Sequence, residues 1–130
     1  MSAGGRDVVS EEFTMRDLRR IRDLIAHLAG KAGISGPKIE RLVWVVNEFV
    51  SNVVVHGGGR GRVTVTTTVD GVQVAVTDWG PGLAMSTGND QPSANASSGR
   101  GLWMARQLYP EMSIKSGLAG TTVTVFAGRT

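Results

Sequence analysis

The sequence contains no cysteine. Disulfides, thiolate zinc sites and thiol nucleophiles are therefore excluded. No apolar run approaches the ~20 residues that a membrane helix needs. The opening MSAGGRDVVSEE lacks the apolar stretch of a signal peptide. These absences lead to the expectation of a cytoplasmic chain with no membrane partner. Charge of one sign is also scarce: the net charge is +3, and the basic residues are spread along the chain. That balance admits an acidic ligand or partner and does not demand nucleic acid. The Gly/Arg-rich stretch after His56 reads as a helix stop and turn. It lacks the interleaved aromatic residues on which bases stack.

What is abundant is glycine, 18 of 130 residues, against a usual share of about 7%. Such an excess implies close backbone approach or positive φ at several positions. The length fits one domain, 1–130, with a single core. Residues 1–12 form a polar lead-in with a short strand at Val8–Val9. From Thr14 to about Gly30, Leu18, Ile21, Leu24, Ile25 and Leu28 repeat at helical intervals. Thr14 and Asp17 read as a capping box in its acidic variant. A second helix runs from about Lys38 to His56. Residues 62–69 and 72–78 alternate as strands around an Asp70-Gly71 hairpin turn. Residues 80–101 carry no periodicity, as in a functional lid or a disordered loop. A third helix begins near Gly101 and ends before Pro110. Strands near Met112–Lys115 and at TTVTVF close the chain. This order predicts an α+β sandwich, one mixed sheet covered by about three helices.

On the second helix, Leu42, Val46, Phe49, Val50 and Val53 cluster on one side. Glu48, Asn52 and His56 follow one another at four-residue steps on the other. The stripe is either a solvated face or the wall of a cleft. Its narrowness, between Trp44, Val45 and Val55, favours the cleft. An amide oxygen suits Mg²⁺, and a nearby carboxylate can accept a proton from an attacking hydroxyl.

Along VQVAVTD, Val72, Val74, Val76 and Asp78 share a face, so Asp78 follows the valines toward the core. A core-facing carboxylate needs a donor. Asp78 either caps a turn or awaits a ligand donor such as an adenine amino group. Gly80 and Gly82, around Pro81, let backbone approach a flat ring. Gly99 and Gly101 open the third helix, either as a flexible turn or as an anion site. Thr121 shares parity with Val123 and Val125, on the face of Asp78.

In this order the residues resemble the GHKL ATPases, the group of histidine-kinase ATP domains, Hsp90, MutL and gyrase. ExxxN matches at Glu48 and Asn52, and DxGxG at Asp78, Gly80 and Gly82. GxGL matches at Gly99, Gly101 and Leu102, and a final GT pair at Gly120 and Thr121. The resemblance covers about residues 14–126 and implies the two-layer GHKL (Bergerat) sandwich. The compact form ExxxNxxxH, with GRGLWMARQL, is similar to the anti-sigma-factor serine/threonine kinases of the RsbW and SpoIIAB type.

The resemblance implies that Mg-ATP binds with Asp78 on the adenine amino group and Thr121 and water beside it. Gly80 and Gly82 would line the base, and Asn52 would hold Mg²⁺. Residues 83–98 would form the ATP lid, with Gly99, Gly101 and Leu102 against the phosphates. Glu48 would be the general base. The implied partners are an anti-anti-sigma (STAS) protein as substrate, a sigma factor to sequester, and a second copy in a homodimer. The departures are Val53, where the family often has alanine, and a lid without lysine or arginine before Arg100. The alternative is an ATP-binding regulatory module that binds partners without phosphorylating them. A detached histidine-kinase ATP domain is disfavoured, because neither His27 nor His56 lies in a convincing phosphoacceptor helix.

Overall fold

The structure, a computed structural model, describes residues 7–56, 59–79, 97–117 and 120–129. The elements are β1 (Asp7–Thr14), α1 (Leu18–Lys31), α2 (Gly36–His56), β2 (Arg60–Thr68), β3 (Gly71–Asp78), α3 (Ser97–Leu108), β4 (Ser113–Gly117) and β5 (Gly120–Gly128). A short 3₁₀ turn, Met15–Asp17, joins β1 to α1. The Thr14–Asp17 capping box is present there: Thr14 N donates to Asp17 Oδ2 at 2.8 Å, and Thr14 Oγ1 accepts from Arg16 N.

The five strands form one sheet in the order β1-β2-β3-β5-β4. All four pairings are antiparallel, which corrects the expected mixed sheet. β5 returns from the β4 hairpin to lie between β4 and β3, so the chain crosses over without a parallel pair. The polar lead-in is also corrected. Residues 7–14 form a full edge strand, registered from Asp7↔Thr67 to Thr14↔Arg60. Phe13 is the only buried residue of that strand. Ser10 and Glu12 are exposed, while Glu11 shares the face of Phe13 and pairs with Arg20 of α1. A charged residue at an inward position thus masked the alternation in the sequence. At its inner end Phe13 joins the core.

The helices cover one face of the sheet. On that face the registers place Val65 beside Val74 and Val125, and Val63 beside Val76 and Val123. These six valines are at most 1% exposed. A fully buried valine contributes roughly 1.5–3 kcal/mol relative to an exposed one. From above, α2 supplies Leu42, Val46, Phe49, Val50 and Val53, the face read from its periodicity. Val45, expected beside the polar stripe, is also fully buried. Helix α1 contributes Ile21, Ile25 and Ala29. Helix α3 contributes Leu102 and Ala105.

Candidate functional site

The next rung of the same sheet face carries different chemistry. The register runs Phe13↔Gly61, Gly61↔Asp78, Asp78↔Thr121 and Thr121↔Ser116. Asp78 and Thr121 therefore continue the valine rows on the helix-covered side. Both are 0% exposed. Thr121 N donates to Asp78 Oδ1 at 3.3 Å. The Thr121 and Ser116 hydroxyls are 2.9 Å apart and share a hydrogen bond. A buried carboxylate is stabilised by such donors. The parity argument made from sequence thus places Asp78 and Thr121 correctly, and the tertiary register makes them neighbours.

Two glycines allow the strands to close around this rung. Gly120 has φ +132°, and a Cβ there would strike the Asp78 carbonyl. A Cβ on Gly61 would run into the Thr77 carbonyl and stand 2.9 Å from Phe13 Cζ and 3.1 Å from Val53 Cγ1. Val53, the departure from the family's alanine, thus packs directly over the rung. It brings its neighbour Asn52 to the same end of the sheet.

Asn52 is 7% exposed, and its Nδ2 is buried with no hydrogen-bond partner among the described residues. Leaving a buried amide unsatisfied costs roughly 1–3 kcal/mol, so a polar ligand fits this position. One turn earlier, Glu48 is half-buried, and burial pushes its carboxyl pKa up. A Cβ on Gly101 would meet Glu48 Oε2 at 2.5 Å and Cδ at 3.1 Å. Gly101 is itself buried. Its bare backbone lets α3 sit against the Glu48 carboxylate, while Leu102, 1% exposed, anchors α3 in the core.

Helix α3 starts at Ser97, four residues before the expected start at Gly101. Gly99 thus lies in the first turn, whose N–H groups have no intrahelical acceptor; Gly101 lies one residue beyond it. Weak local helix propensity at Ser97–Gly101 is overridden by the burial of Leu102 and Ala105. Gly80, Gly82 and residues 83–96 of the expected lid lie outside the described residues, as does the side chain of His56. Ser97 and Ser98, expected in the lid, belong to α3.

Sequence reasoning missed three residues. Ser116 reaches Thr121 only through the β4–β5 register. Trp79, 45% exposed, follows Asp78, and the Arg60 guanidinium stands 5.4 Å from its ring centroid. That is within cation–π range. No local spacing links Arg60 to Trp79; the β2–β3 hairpin does. Among the described residues there is no cluster of three or more His, Asp or Glu side chains able to hold a metal. No described helix is long and apolar enough to cross a membrane.

Comparison with known proteins agrees with this architecture. The RsbU and RsbW domains of Rv1364c from Mycobacterium tuberculosis superpose with a TM-score of 0.63 at 24% identity. That match covers 92% of this chain and 32% of the other. The histidine kinase domain of the blue-light activated histidine kinase EL346 from Erythrobacter litoralis gives 0.56 at 20% identity. It covers 85% of this chain and 58% of that one. The chain thus spans about a third and somewhat over half of these two chains, and at these identities the likeness is one of fold. No curated protein gives a significant match. The model of the histidine kinase-like ATPase domain matches residues 12–126, nearly the whole sequence, and the chain belongs to that family.

Proposed function

We propose that the chain binds Mg-ATP on the Asp78 rung and acts as an anti-sigma-factor serine/threonine kinase. In this reading it phosphorylates an anti-anti-sigma (STAS) protein and sequesters a sigma factor. The observation that carries it is the placement of a fully buried carboxylate, Asp78, at the end of the valine rows. The half-buried Glu48 and Asn52, whose Nδ2 has no hydrogen-bond partner among the described residues, lie on α2 at the same end. The family match supports the nucleotide, and the RsbW-containing neighbour supports the choice of pathway.

In this mechanism Asp78 accepts from the adenine amino group, with the Thr121 N–H donating to its carboxylate. Gly80 and Gly82 line the base. Asn52 offers its amide oxygen to Mg²⁺, and Gly99 and Gly101 carry the start of α3 near the phosphates. When bound, Mg-ATP supplies the γ-phosphoryl group. Glu48 takes the proton that a substrate serine loses as its oxygen bonds to phosphorus and ADP leaves. A carboxyl pKa raised by burial makes Glu48 a stronger base than a solvated glutamate.

The contact between Glu48 and Gly101 favours a second reading, a nucleotide-loaded binding module without phosphotransfer. There the Glu48 carboxylate seats α3 and has no chemical step. Calorimetry with ATP and GTP tests the shared part of both readings. Guanine has a carbonyl where adenine has its amino group, so GTP is expected to bind more weakly. Asp78→Asn is expected to lower ATP affinity about ten- to a hundredfold, from the loss of a charge-assisted hydrogen bond. Equal ATP and GTP affinity in the wild type would rule the adenine assignment out. Transfer of labelled γ-phosphate to a STAS protein separates kinase from module.

A further inference from the structure

Among the described residues, the far end of β5 is an open edge. β4 covers β5 only from Gly120 to Thr124, where Ser113↔Thr124 is the last pair. On its other side β3 pairs with β5 as far as Gly71↔Gly128. Residues 125–128 therefore have a strand neighbour on one side only among the described residues. Alternate residues of an antiparallel strand turn their N–H and C=O groups to opposite sides. Half of these backbone groups thus face the open side. Lys38 Nζ already donates to one of the carbonyls, Gly128 O, at 3.2 Å.

The chain leading into β4 is held away from this edge. Arg106 Nη1 donates to Met112 O at 3.0 Å and to Pro110 O at 3.4 Å. Met112 N returns to Tyr109 O at 3.0 Å. That closed turn leaves a groove between itself and β5. A cavity of about 600 Å³ is walled mainly by Leu108, Tyr109, Met112 and Phe126, with Glu111 at its rim. A smaller one, about 170 Å³, continues along residues 126–128 to Lys38 and Arg41 at the start of α2.

The larger cavity is mainly apolar, and the smaller one is more polar and basic where it meets α2. Leu108 and Phe126 are 42% and 47% exposed, high for such large apolar side chains. Arg41 is exposed and forms no ion pair among the described residues. Burial raises the pKa of the neighbouring Tyr109 hydroxyl, and the Arg41 charge pulls it back down. An unpaired strand edge, an apolar pocket and an uncompensated cation are together what strand addition by a peptide uses. The edge supplies affinity, and the pocket and charge supply selectivity.

We propose that this groove binds an extended segment of an acidic partner protein, added as a strand beside residues 125–128 of β5. An apolar side chain sits between Leu108 and Phe126, and a carboxylate meets Arg41. Glu111 at the other end sets the direction, because it repels a carboxylate there. A second copy of this chain is a poor occupant, since it brings its own Lys38 and Arg41 to the same edge. Phe126 lies five residues from Thr121, about 17 Å along the strand. The groove is therefore separate from the proposed nucleotide site, and the inference stands or falls independently of it.

The test is selection of a displayed random-heptapeptide library on the full chain. The best peptide is then synthesised and titrated into isotope-labelled protein. The expected consensus is an apolar residue with Asp or Glu within two positions. Amide shifts and exchange protection are expected at residues 125–128 and 108–112. Arg41→Glu is expected to weaken binding about tenfold or more, and Arg41→Lys much less. Backbone N-methylation of the peptide is expected to weaken it by a similar factor, and Asp78→Asn to leave it unchanged. The proposal is overturned by any of four results. They are no selected binder, affinity indifferent to Arg41→Glu and to N-methylation, shifts confined to the α1–α2 surface, or sedimentation showing this edge filled by a second copy.

Discussion

Gly101 of α3 rests against the carboxylate of Glu48 on α2, so closely that an added Cβ would stand 2.5 Å from Oε2. Two opposing effects decide what an alanine does there. The obstructing atom is the end of a flexible side chain, which can swing away. Replacing a helical glycine by alanine also gains about 1 kcal/mol of helix propensity. Gly101→Ala is therefore expected to stay within about 1 kcal/mol of wild-type stability while displacing the Glu48 carboxylate. Phosphotransfer is expected to fall about tenfold or more, with thermal melting nearly unchanged. In the Glu48→Ala background the same substitution is expected to raise stability, because the obstruction is gone. A large loss of stability in Gly101→Ala alone would contradict this.

Glu48 also makes stability depend on pH. Burial raises its folded-state pKa above the ordinary glutamate value. The folded state therefore binds the proton more tightly than the unfolded chain. This contribution is fully present below the unfolded pKa and is lost as pH rises through the folded pKa. Glu48→Gln, which stays neutral, is expected to be slightly more stable than wild type at pH 7, by less than about 1 kcal/mol because the group is only half-buried. The difference is expected to vanish below pH ~4. Denaturant titrations of both proteins across pH check the sign. The same variant is expected to keep ATP affinity and lose phosphotransfer, since only the proton acceptor is gone.

Asn52 is expected to behave differently from Glu48. Its buried Nδ2 lacks a hydrogen-bond partner among the described residues, so Asn52→Leu removes an unsatisfied group. The variant is expected to fold at least as stably as wild type. Mg-ATP binding is expected to weaken about tenfold or more, with the loss much smaller for adenosine alone, because the amide serves the metal and phosphates. Equal losses for Mg-ATP and adenosine would place Asn52 elsewhere.

Gly120 is a structural requirement of the Asp78 rung. Its φ of +132° is rarely open to an L side chain, and a Cβ would collide with the Asp78 backbone. Backbone has no alternative rotamer, so the collision is not relieved as it is at Gly101. Gly120→Ala is expected to cost roughly 2–4 kcal/mol, from strain and overpacking together. A thermal scan showing a shift of less than a few degrees would refute the close approach of β5 to β3.

The contrast between these two glycines shows where sequence reading stops. The GxGL and GT patterns marked both Gly101 and Gly120 as positions of the family's motifs. Only the packing shows that one faces a movable carboxylate and the other a fixed carbonyl.

The sequence by itself determined which face each periodic residue takes. The α2 pattern separated Leu42, Val46, Phe49, Val50 and Val53 from Glu48 and Asn52, and the β3 alternation turned Asp78 inward with its valines. Periodicity reports orientation about an element's own axis, which local geometry dictates. It carries no information on which element lies opposite. The tertiary structure alone decided that β1 is a full strand, that every pairing is antiparallel, and that α3 starts at Ser97. It also decided that Val45 is core, that Ser116 reaches Thr121, and that β4 pairs with β5 only as far as Thr124. These depend on contacts between residues far apart in the chain. Their register is set by the joint burial of the valine rows, not by any neighbouring sequence.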